Sequence, residues 1–296
     1  MKIPGRLLTA MVTPFDDEGK VDYAQAKKLA LALLDSGSDG VVVVGTTGES
    51  PTLLREEEFR LFAEIKQAVG DRGSVIAGTG SNSTAEALEA TRGAERAGAD
   101  GCLLVVPYYN KPTQEGLYQH FRAIAGSTRL PCILYNVPSR TGVNLAAETT
   151  LRLAELPNVI GIKEASGNLE QVARIISRAG DGFYVWSGND SDTLPILALG
   201  GYGVISVAAH LVGRQIAAMI AAFVEGRTGE AAAIHRRLLP LVNALFVVSN
   251  PIPVKYALNQ IGFRVGKPRL PLTEPDEKTA ALIRETLQNY TIDLPV

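Results

Sequence analysis

Eight short apolar runs, each followed by a helical pattern, constrain this chain more than any other feature. Four are plain: Val41-Val42-Val43-Val44, Cys102-Leu103-Leu104-Val105-Val106, Cys132-Ile133-Leu134-Tyr135 and Val159-Ile160-Gly161-Ile162. A run with no polar interruption is a strand buried on both faces, the habit of parallel sheets covered by helices. Weaker runs at Leu7–Val12, Ser74–Ala77, Tyr184–Ser187 and Val204–Val207 complete the set. Eight parallel strands alternating with helices close into an α/β fold, the (β/α)₈ or TIM barrel.

The gaps carry helical signals. Ala24–Leu34 repeats with a 3.6-residue period behind Asp22 as N-cap, with Gln25 reaching back. Glu56-Glu57-Glu58 opens a second helix and complements its dipole. Ser83 and Glu86 have capping-box spacing ahead of a third. Others are expected at Gln114–Ala125, Ala147–Glu155, Leu169–Ala179 and Thr193–Leu199. Gly37-Ser38-Asp39-Gly40 and Gly98-Ala99-Asp100-Gly101 echo each other, each ending a helix before a strand, as repeated αβ units would. After Val207 the pattern is helical throughout: Arg214–Glu225, Gly229–Val248, Val254–Gln260 and Glu277–Tyr290. One helix closes a barrel, so the expected division is a barrel over 1–225 and a helical region over 226–296 packed on it.

Several function classes fall away. At 46% hydrophobic and 20% charged residues, the chain has the means to build a core. Its 29 basic and 31 acidic residues give a net charge of −2, so no nucleic-acid partner is expected. Two cysteines, both in apolar runs, make neither a disulfide framework nor a four-thiolate zinc site. The three histidines, His120, His210 and His235, have no zinc spacing, and no metal is expected. There is no G-x-S-x-G elbow and no Walker A sequence. Gly78-Thr79-Gly80-Ser81-Asn82-Ser83 starts like a dinucleotide fingerprint but lacks the third glycine. Ala208–Val224, the most apolar stretch, is broken by His210, Arg214 and Gln215, so no membrane span is expected. Leu7–Val12 is too short for a signal-peptide core and lies between Pro4 and Pro14; the expected location is cytoplasmic.

Chemistry gathers at the strand ends, where a barrel of this kind places its site. Lys163 follows Val159–Ile162. Desolvation there lowers a lysine pKa and yields a neutral amine fit for Schiff-base chemistry. The alternative is an ion pair with a carboxylate such as Glu164. Lys255 is a rival, but it follows Pro251 and Pro253 in the helical tail. Gly45-Thr46-Thr47-Gly48-Glu49-Ser50 follows the second strand, and its hydroxyl and N–H groups suit a carboxylate; an ordinary βα turn is the other reading. Tyr135 and Asn136 end a strand ahead of Arg140. A phenol relays protons, and a guanidinium grips a carboxylate with two hydrogen bonds. Tyr108 and Tyr109 end another strand, where core or interface anchoring is the commoner role.

These segments, taken together with Tyr135-Asn136-Val137-Pro138-Ser139-Arg140-Thr141-Gly142, Gly161-Ile162-Lys163-Glu164-Ala165-Ser166, Pro107–Pro112 and Asn250–Lys255, resemble the dihydrodipicolinate synthase (4-hydroxy-tetrahydrodipicolinate synthase) family. The resemblance runs from Gly5 to about Tyr290. It implies a (β/α)₈ barrel with a C-terminal helical region, and a homotetramer built as a dimer of dimers. It implies a lyase of lysine and diaminopimelate biosynthesis that condenses pyruvate with L-aspartate 4-semialdehyde. No cofactor is implied beyond the covalent imine between Lys163 and pyruvate. Tyr135 matches the proton-moving tyrosine, Thr46 the hydroxyl linking tyrosines, and Tyr109 the tyrosine lent by a neighbouring subunit. Thr47 matches the binder of the pyruvate carboxylate, Arg140 the binder of the aldehyde's carboxylate, and Ile205 a position whose backbone lines the pyruvate site. Sister enzymes such as N-acetylneuraminate lyase share the lysine and tyrosine motifs, and Arg140 is the discriminator. Ser50, Asn82, Glu86 and Tyr108 match an effector pocket for L-lysine. Arg55 and Glu58 stand where strongly sensitive members carry histidines. They are expected to pair with each other, three apart on a helix, and feedback by L-lysine is expected to be weak or absent.

Overall fold

The computed structural model describes residues 3–295. Its eight strands are β1 Leu7–Ala10, β2 Gly40–Val43, β3 Ser74–Gly78, β4 Gly101–Val105, β5 Cys132–Asn136, β6 Val159–Glu164, β7 Tyr184–Ser187 and β8 Gly203–Ser206. They close in sequence order into one parallel barrel, β8 pairing with β1. Every strand read from the sequence is present.

Alternation along the strands sorts the core into two layers. Leu8, Val42, Ile76, Leu103, Ile133 and Ile205 fill the barrel interior. Leu7, Val41, Val43, Val75, Leu104, Leu134 and Val204 face outward against the helices. Cys102 and Cys132 are register partners, free and buried; burial pushes the Cys102 thiol up to about 12, so it is a core residue, not a nucleophile. Trp186, Tyr184 and Tyr202 pack with ring centroids 4.7 to 5.9 Å apart, and the Trp186 indole donates to the Gly5 carbonyl at 3.0 Å.

The outer helices are α1 Tyr23–Asp35, α2 Arg55–Val69, α3 Thr84–Arg96, α4 Gln114–Ala125, the short α5 Pro138–Thr141, α6 Ala147–Ala154, α7 Leu169–Arg178, α8 Thr193–Ala198 and α9 Ala209–Val224. Asp22 caps α1 by accepting the Gln25 N–H at 2.8 Å. Glu57 takes the Leu54 N–H at 2.9 Å, closing the start of α2. Ser83 caps α3, but the Glu86 carboxylate takes the Ser81 hydroxyl at 2.8 Å. Val212 is non-helical (φ −129°, ψ 40°), so Ala209–Leu211 form a turn ahead of a kink and the regular part of α9 runs from Gly213, beside the expected Arg214. His210 there is fully buried, and burial lowers its pKa to about 4, so the ring is neutral. Its Nδ1–H donates to the Val207 carbonyl and its Nε2 accepts the Val12 N–H. A polar residue that interrupts the apolar pattern is thus a strut between β8 and the chain leaving β1.

Three further helices follow: α10 Thr228–Ala244, α11 Ile252–Gln260 and α12 Glu277–Leu287. Helix α10 lies against α9 and α12, and α11 against α12. Among the described residues no helix is long and apolar enough to cross a membrane.

Candidate active site

Lys163 and Tyr135 are register partners on β6 and β5, at the end of the barrel where the strands finish. Both point inward, and the Lys163 ammonium nitrogen lies 4.3 Å from the centre of the Tyr135 ring. Burial lowers the Lys163 pKa to about 8; the Asp190 carboxylate opposes this and the Arg140 charge adds to it. Burial pushes the Tyr135 phenol up to about 12, with Arg140 and the Thr46 hydroxyl pulling the other way.

The ion pair between Lys163 and Glu164 does not form. Successive residues on a strand face opposite sides, so Glu164 points out of the barrel. Its buried carboxylate accepts from the Asn136 amide at 3.0 Å, the Ser166 N–H at 2.8 Å and the Gln171 amide at 3.1 Å. The carboxylate that does influence Lys163 is Asp190, held by the Ser206 hydroxyl and by the N–H groups of Val207 (3.0 Å) and Ala208 (3.1 Å). Space beside the lysine stem depends on Gly188: a Cβ there would stand 3.2 Å from the Lys163 Cγ and 2.6 Å from the Ala165 Cβ.

The loop after β2 supplies the hydroxyls. Val44 and Glu49 both adopt left-handed backbone angles (φ 61° and 59°), which folds the loop back over the barrel mouth. Thr47 is 4% exposed, and its hydroxyl oxygen accepts from the Asn250 amide at 2.8 Å. Arg140, exposed on α5, donates to the Asn250 main-chain carbonyl at 3.2 Å. Ile205 sits fully buried on β8 inside the barrel.

Lys255 is as buried as Lys163, and burial lowers its pKa to about 8 as well. What separates the two is their partners. The Lys255 ammonium meets Glu49 at 2.8 Å and the carbonyls of Thr13 (3.0 Å) and Lys267 (3.1 Å), which occupies all its protons. Glu49 also takes the Arg269 N–H, and the Arg269 guanidinium forks onto Glu57 at 2.6 and 2.7 Å. This is a buried ionic tie between the loop after β2 and the C-terminal region. Lys163 belongs to no ion pair among the described residues.

Tyr109 stands apart from this cluster. It is 89% exposed and holds a φ of 72°, unusual for a bulky residue. A cavity of 330 Å³ nearby is lined by Ser50, Arg55, Glu58, Glu86 and Tyr108. Asn82 is not in its wall; its carbonyl is held by the Asn110 amide at 2.8 Å. Arg55 and Glu58 pair at 2.5 Å, as their spacing suggests. Burial raises the Glu58 pKa to about 7 in spite of Arg55. The fingerprint-like glycines belong to this wall: a Cβ on Gly80 would meet the Val105 nitrogen at 2.3 Å, so packing, not a nucleotide, explains the glycine. Sequence reasoning did not assign Asp190, Gly188, Glu49 or Asn250, although Glu49 and Asn250 both lie within quoted motifs.

The family model of the dihydrodipicolinate synthetase family matches residues 3–290. A 4-hydroxy-tetrahydrodipicolinate synthase of Dehalococcoides mccartyi is 70% identical over 296 residues, covering 100% of both chains. One from Moorella thermoacetica is 59% identical over 286 residues, 95% of this chain and 98% of the relative. The crystal structure of the Cyanidioschyzon merolae enzyme with lysine bound superposes with a TM-score of 0.95 at 51% identity, covering 96% of this chain and 97% of that one. With the barrel, the lysine–tyrosine pair at its mouth and these full-length matches in agreement, the chain belongs to the dihydrodipicolinate synthetase family.

Proposed function

We propose that this chain condenses pyruvate with L-aspartate 4-semialdehyde through an imine on Lys163. The observation that carries the reading is a buried lysine at a strand end, beside a tyrosine ring and without an ion-pair partner. Its amine adds to the pyruvate ketone, and water leaves as the imine forms. The protonated imine is an electron sink, so a methyl proton departs and an enamine remains. The enamine carbon attacks the aldehyde. The amino group of the bound semialdehyde then displaces Lys163, closing the ring and freeing the enzyme. No resident metal or redox cofactor enters this scheme.

Tyr135 moves the protons, with Thr46 beside its phenol. Thr47 holds the pyruvate carboxylate, the Ile205 backbone lines the same subsite, and Arg140 receives the aldehyde's carboxylate. Tyr109 completes the relay from a neighbouring subunit, in a homotetramer built as a dimer of dimers. Its exposure and left-handed backbone support a side chain presented away from its own barrel. Residues 1–225 are the barrel, and 226–296 are a region that completes the site, since Asn250 and Lys255 both reach the β2 loop. A coupled assay tests the reading: turnover with pyruvate and aspartate semialdehyde supports it, and cleavage of N-acetylneuraminate in their place overturns it.

Arg140→Ala is expected to lower kcat/KM for the aldehyde roughly ten- to a hundredfold or more, the loss of a charge-assisted contact worth about 1.5–3 kcal/mol. Pyruvate imine formation should stay nearly intact. Equal collapse of both steps would make Arg140 structural and remove it from substrate recognition.

The 330 Å³ cavity is the effector pocket in this reading. A relative in the family binds lysine in its crystal structure. Here the pocket end carrying Arg55 is already closed onto Glu58. A satisfied pair gains little by opening for an ammonium, and Arg55 repels one. L-Lysine titrated into the coupled assay is expected to inhibit weakly or not at all; half-inhibition below the millimolar range would sink this expectation.

A further inference from the structure

We propose that Asn250 is a positioning residue that fixes the direction of the Thr47 hydroxyl, so that its proton points at the pyruvate carboxylate. The proposal rests on Thr47 as the group that binds that carboxylate. An amide nitrogen only donates, so at 2.8 Å the Thr47 oxygen must accept. A threonine hydroxyl has one proton. With its oxygen engaged by the amide, that proton is free to point elsewhere, and a carboxylate in the barrel mouth needs a donor. The opposite arrangement, with the side chain at 250 accepting from Thr47, would turn lone pairs toward the carboxylate.

The surroundings support a dedicated role. Asn250 is 6% exposed, and its Oδ1 is buried without a donor among the described residues. The bond to Thr47 is therefore what orients the amide. Asn250 also reaches Thr47 across 203 residues of sequence, from the segment between α10 and α11. Its main-chain carbonyl receives Arg140 at 3.2 Å. One residue of the C-terminal region thus touches both groups assigned to substrate carboxylates. Its side chain sets the polarity of the first, and its backbone holds the second at the mouth.

Asn250→Asp tests the polarity directly, because it keeps the shape and leaves only acceptors. The expected result is a rise in pyruvate KM on the order of ten- to a hundredfold, with kcat at saturating pyruvate changed only a few-fold. Asn250→Ala frees the hydroxyl to rotate and should raise KM less. A new carboxylate could also repel pyruvate directly, and a cycle with Thr47→Val separates the two causes. If Asn250 acts through Thr47, the double variant matches Thr47→Val alone. Additive effects, or an unchanged KM in Asn250→Asp, overturn the inference while leaving Thr47 in place. An unchanged KM in Thr47→Val removes the carboxylate-binding role of Thr47 and this inference with it. Should Asn250→Asp fail to fold, the same cycle with Asn250→Ala gives the answer: its KM effect must vanish in the Thr47→Val background.

Discussion

Lys163→Ala is expected to lower kcat on the order of 10³-fold or more and to abolish the adduct that borohydride traps with pyruvate. In the unaltered protein the trapped group is an N-(1-carboxyethyl) modification, located by peptide mass spectrometry at Lys163. The reason lies in desolvation. With a pKa of about 8, roughly a tenth of Lys163 is neutral amine at pH 7, against roughly one part in several thousand at the ordinary 10.5. Only the neutral form carries the lone pair that attacks a ketone. The trapping rate should therefore climb as pH rises through about 8 and level off above it. A label on Lys255, or no label, would end the imine mechanism.

Lys255→Ala is expected to cost about 3–5 kcal/mol of folding stability, because it leaves Glu49 buried without its cation. Chemical denaturation reads this directly. The Lys255→Met and Glu49→Gln changes combined should destabilise far less than Lys255→Ala, since no uncompensated charge then stays inside. The combined variant should still lose activity, because Glu49 ties down the loop that carries Thr46 and Thr47. A loss below about 1 kcal/mol in Lys255→Ala would show that water reaches the pair and that the tie is not buried in solution. The two lysines thus separate by what their loss is expected to remove: the imine at Lys163, folding stability at Lys255.

The barrel was legible because parallel strands covered on both sides are written as uninterrupted apolar runs, and Val41–Val44 or Cys132–Tyr135 admit few other readings. The helix over Ala24–Leu34 was legible from its period and its cap at Asp22. That same double-sided burial hid the parity of each strand. The apolar run Val159–Ile162 stops short of Lys163, so an ion pair with Glu164 stayed open until the strand proved to run on through Glu164 and put the two neighbours on opposite faces. Asp190, Glu49 and Asn250 were illegible for another reason. An acid or amide in a turn reads as a solvated residue, and the partners that make each one buried and useful lie elsewhere in the sequence: Lys255 is 206 positions from Glu49, Thr47 is 203 from Asn250. His210, read only as a break in the apolar stretch Ala208–Val224, is itself a buried contact whose partners Val12 and Val207 the sequence does not point to.

The tie between Glu49 and Lys255 also orders events in time. The loop bearing Thr46 and Thr47 leaves the ribosome early, while its buried cation is encoded 206 residues later and the Arg269 N–H 220 residues later. At roughly 5–20 residues per second, that interval is about ten to forty seconds. Throughout it Glu49 lacks the buried cation that holds it in the folded protein. The loop that carries Thr46 and Thr47 therefore meets the partners that hold it only once Lys255 and Arg269 have been made.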